Sequence, residues 1–85
     1  MPELYFKDFK KYYAKATVYP SIGDQIVTRS HEHISNAVDE AIEKAKMMLK
    51  SNGYVGKAEV HIEIYAEEDE GTYLIQSVKT KIVVS

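Results

Sequence analysis

Apolar and polar side chains alternate without a break from Lys57 to Glu67. In a β-strand, successive side chains point to opposite faces, so every second residue of this segment shares a side. One side carries Ala58, Val60, Ile62, Ile64 and Ala66, and the other carries Glu59, His61, Glu63, Tyr65 and Glu67. A parallel strand buried on both faces would be apolar throughout. The pattern therefore predicts an antiparallel sheet with one buried face and one exposed face.

A helix is expected in the middle of the chain, near residues 36–52, because apolar residues recur there at helical spacing with charged residues between them. Ser35 is a candidate N-cap. Acidic residues crowd the first turns and lysines the last ones, as the helix dipole favours. Asn52-Gly53 supplies the stop signal, since glycine takes a left-handed conformation at low cost.

A second strand is expected at Tyr73–Val84, after a solvated turn at residues 68–71. One of its faces carries Leu74, Val78, Ile82 and Val84, and the other includes Tyr73, Ile75 and Val83. Matching the two apolar faces places Ile64 opposite Leu74, or Ile62 opposite Val78. Either register sets Glu59 across from a lysine, which is a favourable cross-strand pair.

The N-terminal third allows two interpretations. Residues 11–19 alternate as a strand does, a turn follows at residues 20–24, and residues 25–33 have the valine and threonine content of a return strand. Tyr5, Phe9, Tyr12 and Ala16 also fit a helical stripe, so a helix over residues 4–16 is the alternative. We favour the strand because tyrosine, threonine and valine dominate the second half of the segment.

These elements predict one compact domain over residues 1–85 with an α+β fold. The order is hairpin, helix, hairpin (ββαββ), with one helix packed on a four-stranded, mainly antiparallel sheet. Alanines on the apolar faces of the strands allow the helix to sit close to them. No element remains to cover the far face of the sheet.

Composition narrows the function classes. The 85 residues include no cysteine, so disulfides, thiolate metal sites and cysteine nucleophiles are excluded. The formal net charge of −2 argues against a general polyanion binder. No apolar stretch approaches the roughly 20 residues that span a bilayer, and no signal-peptide core follows Met1. We expect a cytoplasmic protein, in the host cytoplasm if the gene is viral, with no membrane partner and no cofactor.

Catalysis and metal binding receive little support. His61 lies between Glu59 and Glu63 at two-residue spacing, but an open sheet offers no concavity, so we expect no enzyme. His31 and His33 would project to the same side of a strand about 7 Å apart, a spacing that can hold a metal ion. The third ligand is unspecified, so the prediction is no metal site, with His31 and His33 as a minor alternative.

Nucleic-acid binding is the main alternative function. Rings interleaved with lysines over residues 5–15 are typical of a single-stranded nucleic-acid platform, which stacks on bases and neutralises phosphates. If the first and last strands are neighbours, the open face gains one patch of Tyr73 with Lys11, Tyr13, Lys15, Lys79 and Lys81. The chain has a single arginine, Arg29, so its basic footprint is weak.

A fragment of the chain resembles the second half of the Alba family of DNA- and RNA-binding proteins. It runs from Ile26-Val27-Thr28-Arg29 through Ile34-Ser35-Asn36-Ala37-Val38-Asp39 into the helix and the second hairpin. The glycine expected before the helix and the family's lysine-rich N-terminal segment are absent. The resemblance implies nucleic-acid binding.

The function that we favour is protein binding through the open sheet face or a sheet edge, with a homodimer expected. Tyrosine-rich mixed surfaces are typical of interfaces, and a sheet edge can pair with another strand. The candidate partner-binding residues are Tyr13, Tyr19, Tyr65, Tyr73, Ile75 and Val83. One subclass is an inhibitor encoded by a virus or mobile element. In that case the acidic run of Glu67, Glu68, Asp69 and Glu70 would mimic phosphates against a basic groove.

Overall fold

The computed structural model describes residues 10–85. Its elements are β1 (Lys11–Tyr19), β2 (Ile26–Val27), α1 (Ile34–Ser51), β3 (Gly56–Glu68) and β4 (Gly71–Val84). The four strands form one antiparallel sheet in the spatial order β2-β1-β3-β4. The predicted α+β fold with the order ββαββ is confirmed.

The first hairpin is shorter than the sequence predicts. Residues 11–16 belong to β1, so the helix alternative is wrong there, and the rest of that alternative, at residues 4–9, lies outside the described residues. The return strand expected at residues 25–33 is reduced to Ile26–Val27. Beyond it, His31 and Tyr12 still exchange two backbone hydrogen bonds of 2.7 Å each.

The side chain of Thr28 explains why the ladder stops. Thr28 is 6% exposed, and its Oγ1 accepts a hydrogen bond from the backbone N–H of Ala14 at 2.9 Å. The same hydroxyl donates to the backbone carbonyl of Arg29, also at 2.9 Å. The backbone N–H of Thr28 still donates to the carbonyl of Ala14 at 2.9 Å, so a side chain replaces only the return hydrogen bond, and regular pairing ends at this residue.

Replacing Thr28 with valine tests this contact. We expect the free energy of unfolding to fall by about 1–3 kcal/mol, because the Ala14 N–H would be left buried without a hydrogen-bond partner. Thr28→Ser keeps the hydroxyl and should lose clearly less. Urea unfolding of the three proteins measures the difference. Equal losses in the two variants would contradict this role of the hydroxyl.

The helix begins and ends close to the predicted residues, with a different N-cap. His33, in an extended conformation, precedes α1 and makes no side-chain capping bond, so the assignment of Ser35 as N-cap is wrong. The first turn holds no acidic residue, whereas Lys50 lies in the last turn as expected. At the C-terminus, the N–H groups of Gly53 and Tyr54 donate to the carbonyls of Lys50 and Leu49, a Schellman motif. Gly53 has a φ of +82°, which its lack of a Cβ permits.

Small side chains set the distance between α1 and the sheet. Ala37, Ala41 and Ala45 of the helix are fully buried, and so are Ala14 and Ala16 of β1. Larger apolar residues complete the core around them, chiefly Leu49, Val60, Ile62 and Ile64. Among residues 10–85, no helix is long and apolar enough to cross a membrane.

The second hairpin contains a β-bulge that changes the faces of its tip. Ile62 pairs with Val78 and Glu59 with Lys81, which confirms one of the two predicted registers. The register then shifts after Ile64, so that Tyr65 pairs with Leu74 and Ala66 with Tyr73. Ile75 is the extra residue on β4, and it reverses the side of the sheet on which residues 71–74 lie.

The predicted faces of two tip residues are therefore wrong. Cross-strand partners share a face, so Leu74 lies on the same side as Tyr65, away from the helix. Tyr73 lies on the side of Ala66, which is the helix side. The bulge could not be predicted from the pattern of apolar positions. Tyr73, Leu74 and Ile75 are consecutive and largely apolar, so the pattern is the same with the bulge as without it.

The tip of the second hairpin extends past the helix. Every residue from 71 to 77 is exposed, whereas Ile82 and Val84 near the other end of β4 are buried. Among the described residues, none thus packs over the first half of β4 on the side where α1 covers its second half.

Candidate interaction surface

The side of the sheet that faces away from α1 is called the open face below. Alternation and cross-strand register assign its members from β1 and β3. From these two central strands they are Lys11, Tyr13, Lys15, Thr17, Tyr19, Lys57, Glu59, His61, Glu63, Tyr65 and Glu67. From β4 they are Thr72, Leu74, Ser77, Lys79, Lys81 and Val83. The one helix within residues 10–85 packs on the opposite side.

A tyrosine pair lies at the centre of the open face. Tyr13 and Tyr65 are directly paired across β1 and β3, and their rings stack with centroids 5.2 Å apart and planes 12° from parallel. The ammonium group of Lys15 lies 5.1 Å from the centroid of the Tyr65 ring, within the range of a cation–π contact. The Tyr65 hydroxyl donates a hydrogen bond of 3.1 Å to Glu63 Oε1. These contacts hold the tyrosine pair in one arrangement.

The surroundings of the Tyr65 hydroxyl favour its protonated form. Partial burial, the hydrogen bond to the Glu63 carboxylate and the charge of that carboxylate all raise the pKa of Tyr65. The hydroxyl is a hydrogen-bond donor in this form, as its contact with Glu63 requires.

A second aromatic contact lies toward the end of β1. The rings of Tyr19 and His61 are 4.4 Å apart and tilted by 45°. His61 Nε2 lies 3.5 Å from Glu59 Oε1, at the outer limit of a hydrogen bond, and this buried nitrogen has no hydrogen-bond partner within residues 10–85. Tyr19 is 43% exposed, so the contact remains accessible from outside.

Acidic and basic residues alternate across the open face. Lys11 pairs with Glu67, and Lys15 with Glu63, between β1 and β3. Because β3 lies between β1 and β4, the first and last strands are not neighbours. The condition for one continuous patch is therefore not met, and Lys11, Tyr13 and Lys15 are separated from Tyr73, Lys79 and Lys81. The carboxylates of β3 separate the two groups of lysines. The sequence of a single strand does not show which strands lie beside it in the sheet, so the separation of β1 from β4 could not be predicted.

His31 takes part in an ion-pair network around Glu40 of the helix. His31 Nε2 lies 2.5 Å from Glu40 Oε1, and Lys44 Nζ lies 3.0 Å from Glu40 Oε2. The backbone N–H of Arg29 also donates to this carboxylate, at 3.3 Å. Burial alone would raise the pKa of Glu40, but these donors outweigh it and lower the pKa to about 2.

The network changes the interpretation of the two histidines. His31 and His33 do not lie on a regular strand, since β2 ends at Val27, so the spacing argument for a shared metal ion does not hold. Across residues 10–85, no three histidine, aspartate or glutamate side chains form a group that could hold a metal ion. His31 instead joins the loop after β2 to the helix.

The acidic run at the second hairpin divides into two pairs. Glu67 Oε1 accepts a hydrogen bond of 2.6 Å from Ser30 Oγ, and Glu68 Oε2 lies 2.9 Å from Lys10 Nζ. Asp69 and Glu70 form the turn itself and are exposed. Two of the four predicted carboxylates are therefore engaged within the chain.

The six predicted partner-binding residues do not form one patch. Tyr13, Tyr65 and Tyr19 share the open face, and Val83 lies near its far end, 61% exposed. Tyr73 lies on the helix side and Ile75 at the bulge. Sequence reasoning missed Leu74, a 51% exposed residue of the open face, and the contact of Lys15 with the tyrosine pair. Only the register between β1 and β3 would have revealed the latter.

No protein-family model, no curated protein and no solved structure matches this chain. The resemblance of the fragment to the Alba family therefore gains no support from comparison with known proteins.

Proposed function

We propose that this protein is a non-enzymatic binding module that recognises a protein partner through the open face. The observation that carries the proposal is the stacked pair of Tyr13 and Tyr65, held by Lys15 and Glu63 on the side of the sheet that faces away from α1. Clustered tyrosines are enriched at the energetic centres of protein interfaces.

The preformed arrangement of the side chains favours tight binding. Immobilising a mobile side chain on association costs about 0.5–1.5 kcal/mol. Tyr13 and Lys15 already contact the Tyr65 ring in the free protein, so little of this cost remains for these side chains. The alternating lysines and glutamates around them supply a charge pattern that a complementary partner can match, and such patterns give specificity more than affinity.

Nucleic-acid binding has weaker support. Base stacking requires a free ring face, but the Tyr65 ring is already contacted by Tyr13 and by Lys15. The glutamates of β3 also place negative charge between the lysines of β1 and β4, where a phosphate backbone would have to run. The crosslinking experiment described below distinguishes nucleic-acid binding from protein binding.

The cytoplasmic location and the subclass of inhibitor encoded by a virus or mobile element remain parts of the proposal. Asp69 and Glu70 support contact with a basic partner, because both project from an exposed turn. Glu67 and Glu68 are less suited to this role, since each already has a partner within the chain.

Site-specific photo-crosslinking tests the proposal. A photoreactive phenylalanine analogue replaces Ser77, an exposed residue of the open face that is paired with Glu63. The matched control carries the same analogue at Glu43, an exposed position of the helix. In extract from the cell in which the gene is expressed, we expect a distinct protein adduct with the first probe and none with the second.

A further variant ties the adduct to the tyrosine pair. Tyr13→Ala should remove the adduct, whereas Tyr13→Phe, which keeps the ring, should retain it. Adducts of equal yield at both probe positions, or none at Ser77, would overturn the proposal. So would a nucleic-acid adduct at Ser77 that disappears at high salt, which would establish the alternative function.

A further inference from the structure

Within residues 10–85, the outer edge of β4 is the long edge of the sheet that pairs with no other strand. The four-stranded order places β2 at one edge and β4 at the other. β2 has two residues, whereas β4 has 14. A long edge strand presents a row of unpaired N–H and C=O groups and is a template for pairing with another strand.

The first half of β4 also exposes apolar side chains on both of its faces. Tyr73 is 44% exposed on the helix side, Leu74 is 51% exposed on the open face, and Ile75 at the bulge is 46% exposed. Along this segment, neither the outer backbone edge nor these side chains are covered by another part of the described chain.

We propose that a second copy of this chain pairs with β4 edge to edge and antiparallel, with the two-fold axis between Ile75 and Gln76. This inference goes beyond the proposed function, since it assigns a second copy to the β4 edge. It leaves the open face of each copy for a different partner.

Charge complementarity selects the second copy as the occupant. The exposed Asp69 and Glu70 precede β4, and the exposed Lys79 and Lys81 lie in its second half. The two groups are about equally distant from the axis, on opposite sides of it. An antiparallel pair therefore brings the acidic turn of each copy beside the lysines of the other, twice in one dimer.

The lysines also reject the competing register. If the axis lay at Thr80, Lys79 of each copy would stand opposite Lys81 of the other, and like charges directly opposite are destabilising. Edge lysines commonly prevent strand pairing. Here they disfavour one register, while the acidic turn favours another.

The bulge is compatible with the proposed register. On β4, Leu74 and Ser77 lie on the open face, whereas Tyr73 and Val78 lie on the helix side. With the axis between Ile75 and Gln76, Leu74 faces Ser77 of the second copy and Tyr73 faces Val78. Each pair matches residues of the same face, as antiparallel pairing requires.

The dimer would have one sheet of eight strands. The two-fold axis of an antiparallel pair is perpendicular to the sheet, so both helices lie on one side and both open faces on the other. The partner-binding surface is thereby doubled, and a partner with two matching sites would gain avidity.

Reciprocal charge reversal tests the inference with purified protein alone. Variant one carries Lys79→Glu and Lys81→Glu, and variant two carries Asp69→Lys and Glu70→Lys. We expect sedimentation to show a dimer for the unaltered protein and a dissociation constant at least about tenfold higher for each variant. A mixture of the two variants should restore the dimer, because each then offers the charge that the other lacks.

Each outcome decides the inference. A monomeric unaltered protein, or variants that dimerise as well as it does, would overturn the pairing. The open face is judged separately, by whether the adduct at Ser77 contains a protein other than this chain, because an adduct between two copies of this chain is expected from the dimer alone. Weakened variants that fail to associate when mixed would also overturn it, provided that circular dichroism shows both to be folded.

A disulfide trap tests the register directly. The chain has no cysteine, so Leu74→Cys with Ser77→Cys introduces the two thiols of one predicted pair. Residues three apart on one strand lie too far from each other to bridge, but opposing residues of paired strands lie within disulfide range. Oxidation should give a covalent dimer. The control, Leu74→Cys with Val83→Cys, should give none, and equal yields would contradict the proposed axis.

Discussion

Ile62→Ala is expected to lower the free energy of unfolding by about 2–5 kcal/mol, the usual cost of deleting a buried isoleucine to alanine. Ile62 is 1% exposed, pairs with Ala16 on one side and Val78 on the other, and belongs to the core beneath α1. Its neighbours include alanines, which have no side chain long enough to fill the resulting cavity. A domain of this size has about 5–15 kcal/mol of stability, so the loss is a large fraction of the total.

Urea unfolding measures this loss, and Val27→Ala serves as the control. Val27 is 50% exposed on the short strand β2, so its truncation should change the free energy of unfolding by no more than about 0.5 kcal/mol. A loss at Ile62 no larger than the loss at Val27 would show that β3 is not the central buried strand.

Glu40→Gln is expected to remove an acid-sensitive part of the stability. The pKa of Glu40 is lowered from 4.5 to about 2, because hydrogen bonds from His31, Lys44 and the Arg29 backbone outweigh the cost of burial. The side chain is 13% exposed, so solvent screens these interactions only partly. The shift corresponds to at most about 3 kcal/mol in favour of the folded state at neutral pH.

The direction of the pH effect follows from the sign of that shift. A carboxylate whose pKa is lower in the folded state binds fewer protons there than in the unfolded chain. Its contribution is therefore complete above about pH 5 and is lost as the pH falls toward 2. Unfolding of the unaltered protein and of Glu40→Gln should differ most near pH 7 and converge near pH 2. A constant difference across this range would contradict the network.

Much of the fold follows from periodicity. The alternation at Lys57–Glu67 predicted the side of β3 that is buried, and the glycine after Asn52 predicted the end of α1. The early end of the return strand and the bulge near Ile75 did not follow. The first depends on one hydrogen bond of the Thr28 hydroxyl, and the second on one extra residue in β4. A pattern of apolar positions predicts neither.

The candidate surface was predicted only in part. Alternation placed Tyr13, Tyr19 and Tyr65 on the open face, but it could not show that two of these rings stack. That contact depends on which strands are neighbours and in which register. The same missing information led to the wrong assignment of Tyr73 and to an unbroken lysine patch that β3 in fact divides.

Solvent paramagnetic relaxation is the most direct test of the central claim, which is that the tyrosine side of the sheet is bare. With a soluble gadolinium chelate, the ring protons of Tyr13 and Tyr65 and the methyl of Thr17, which are partly exposed, should relax at a rate between those of the methyl of Met47, 65% exposed on the helix, and of the buried methyls. The methyls of Ala14 and Ile62 should be spared. Protection of the tyrosine rings to the same extent as Ile62 would mean that another part of the chain covers that side.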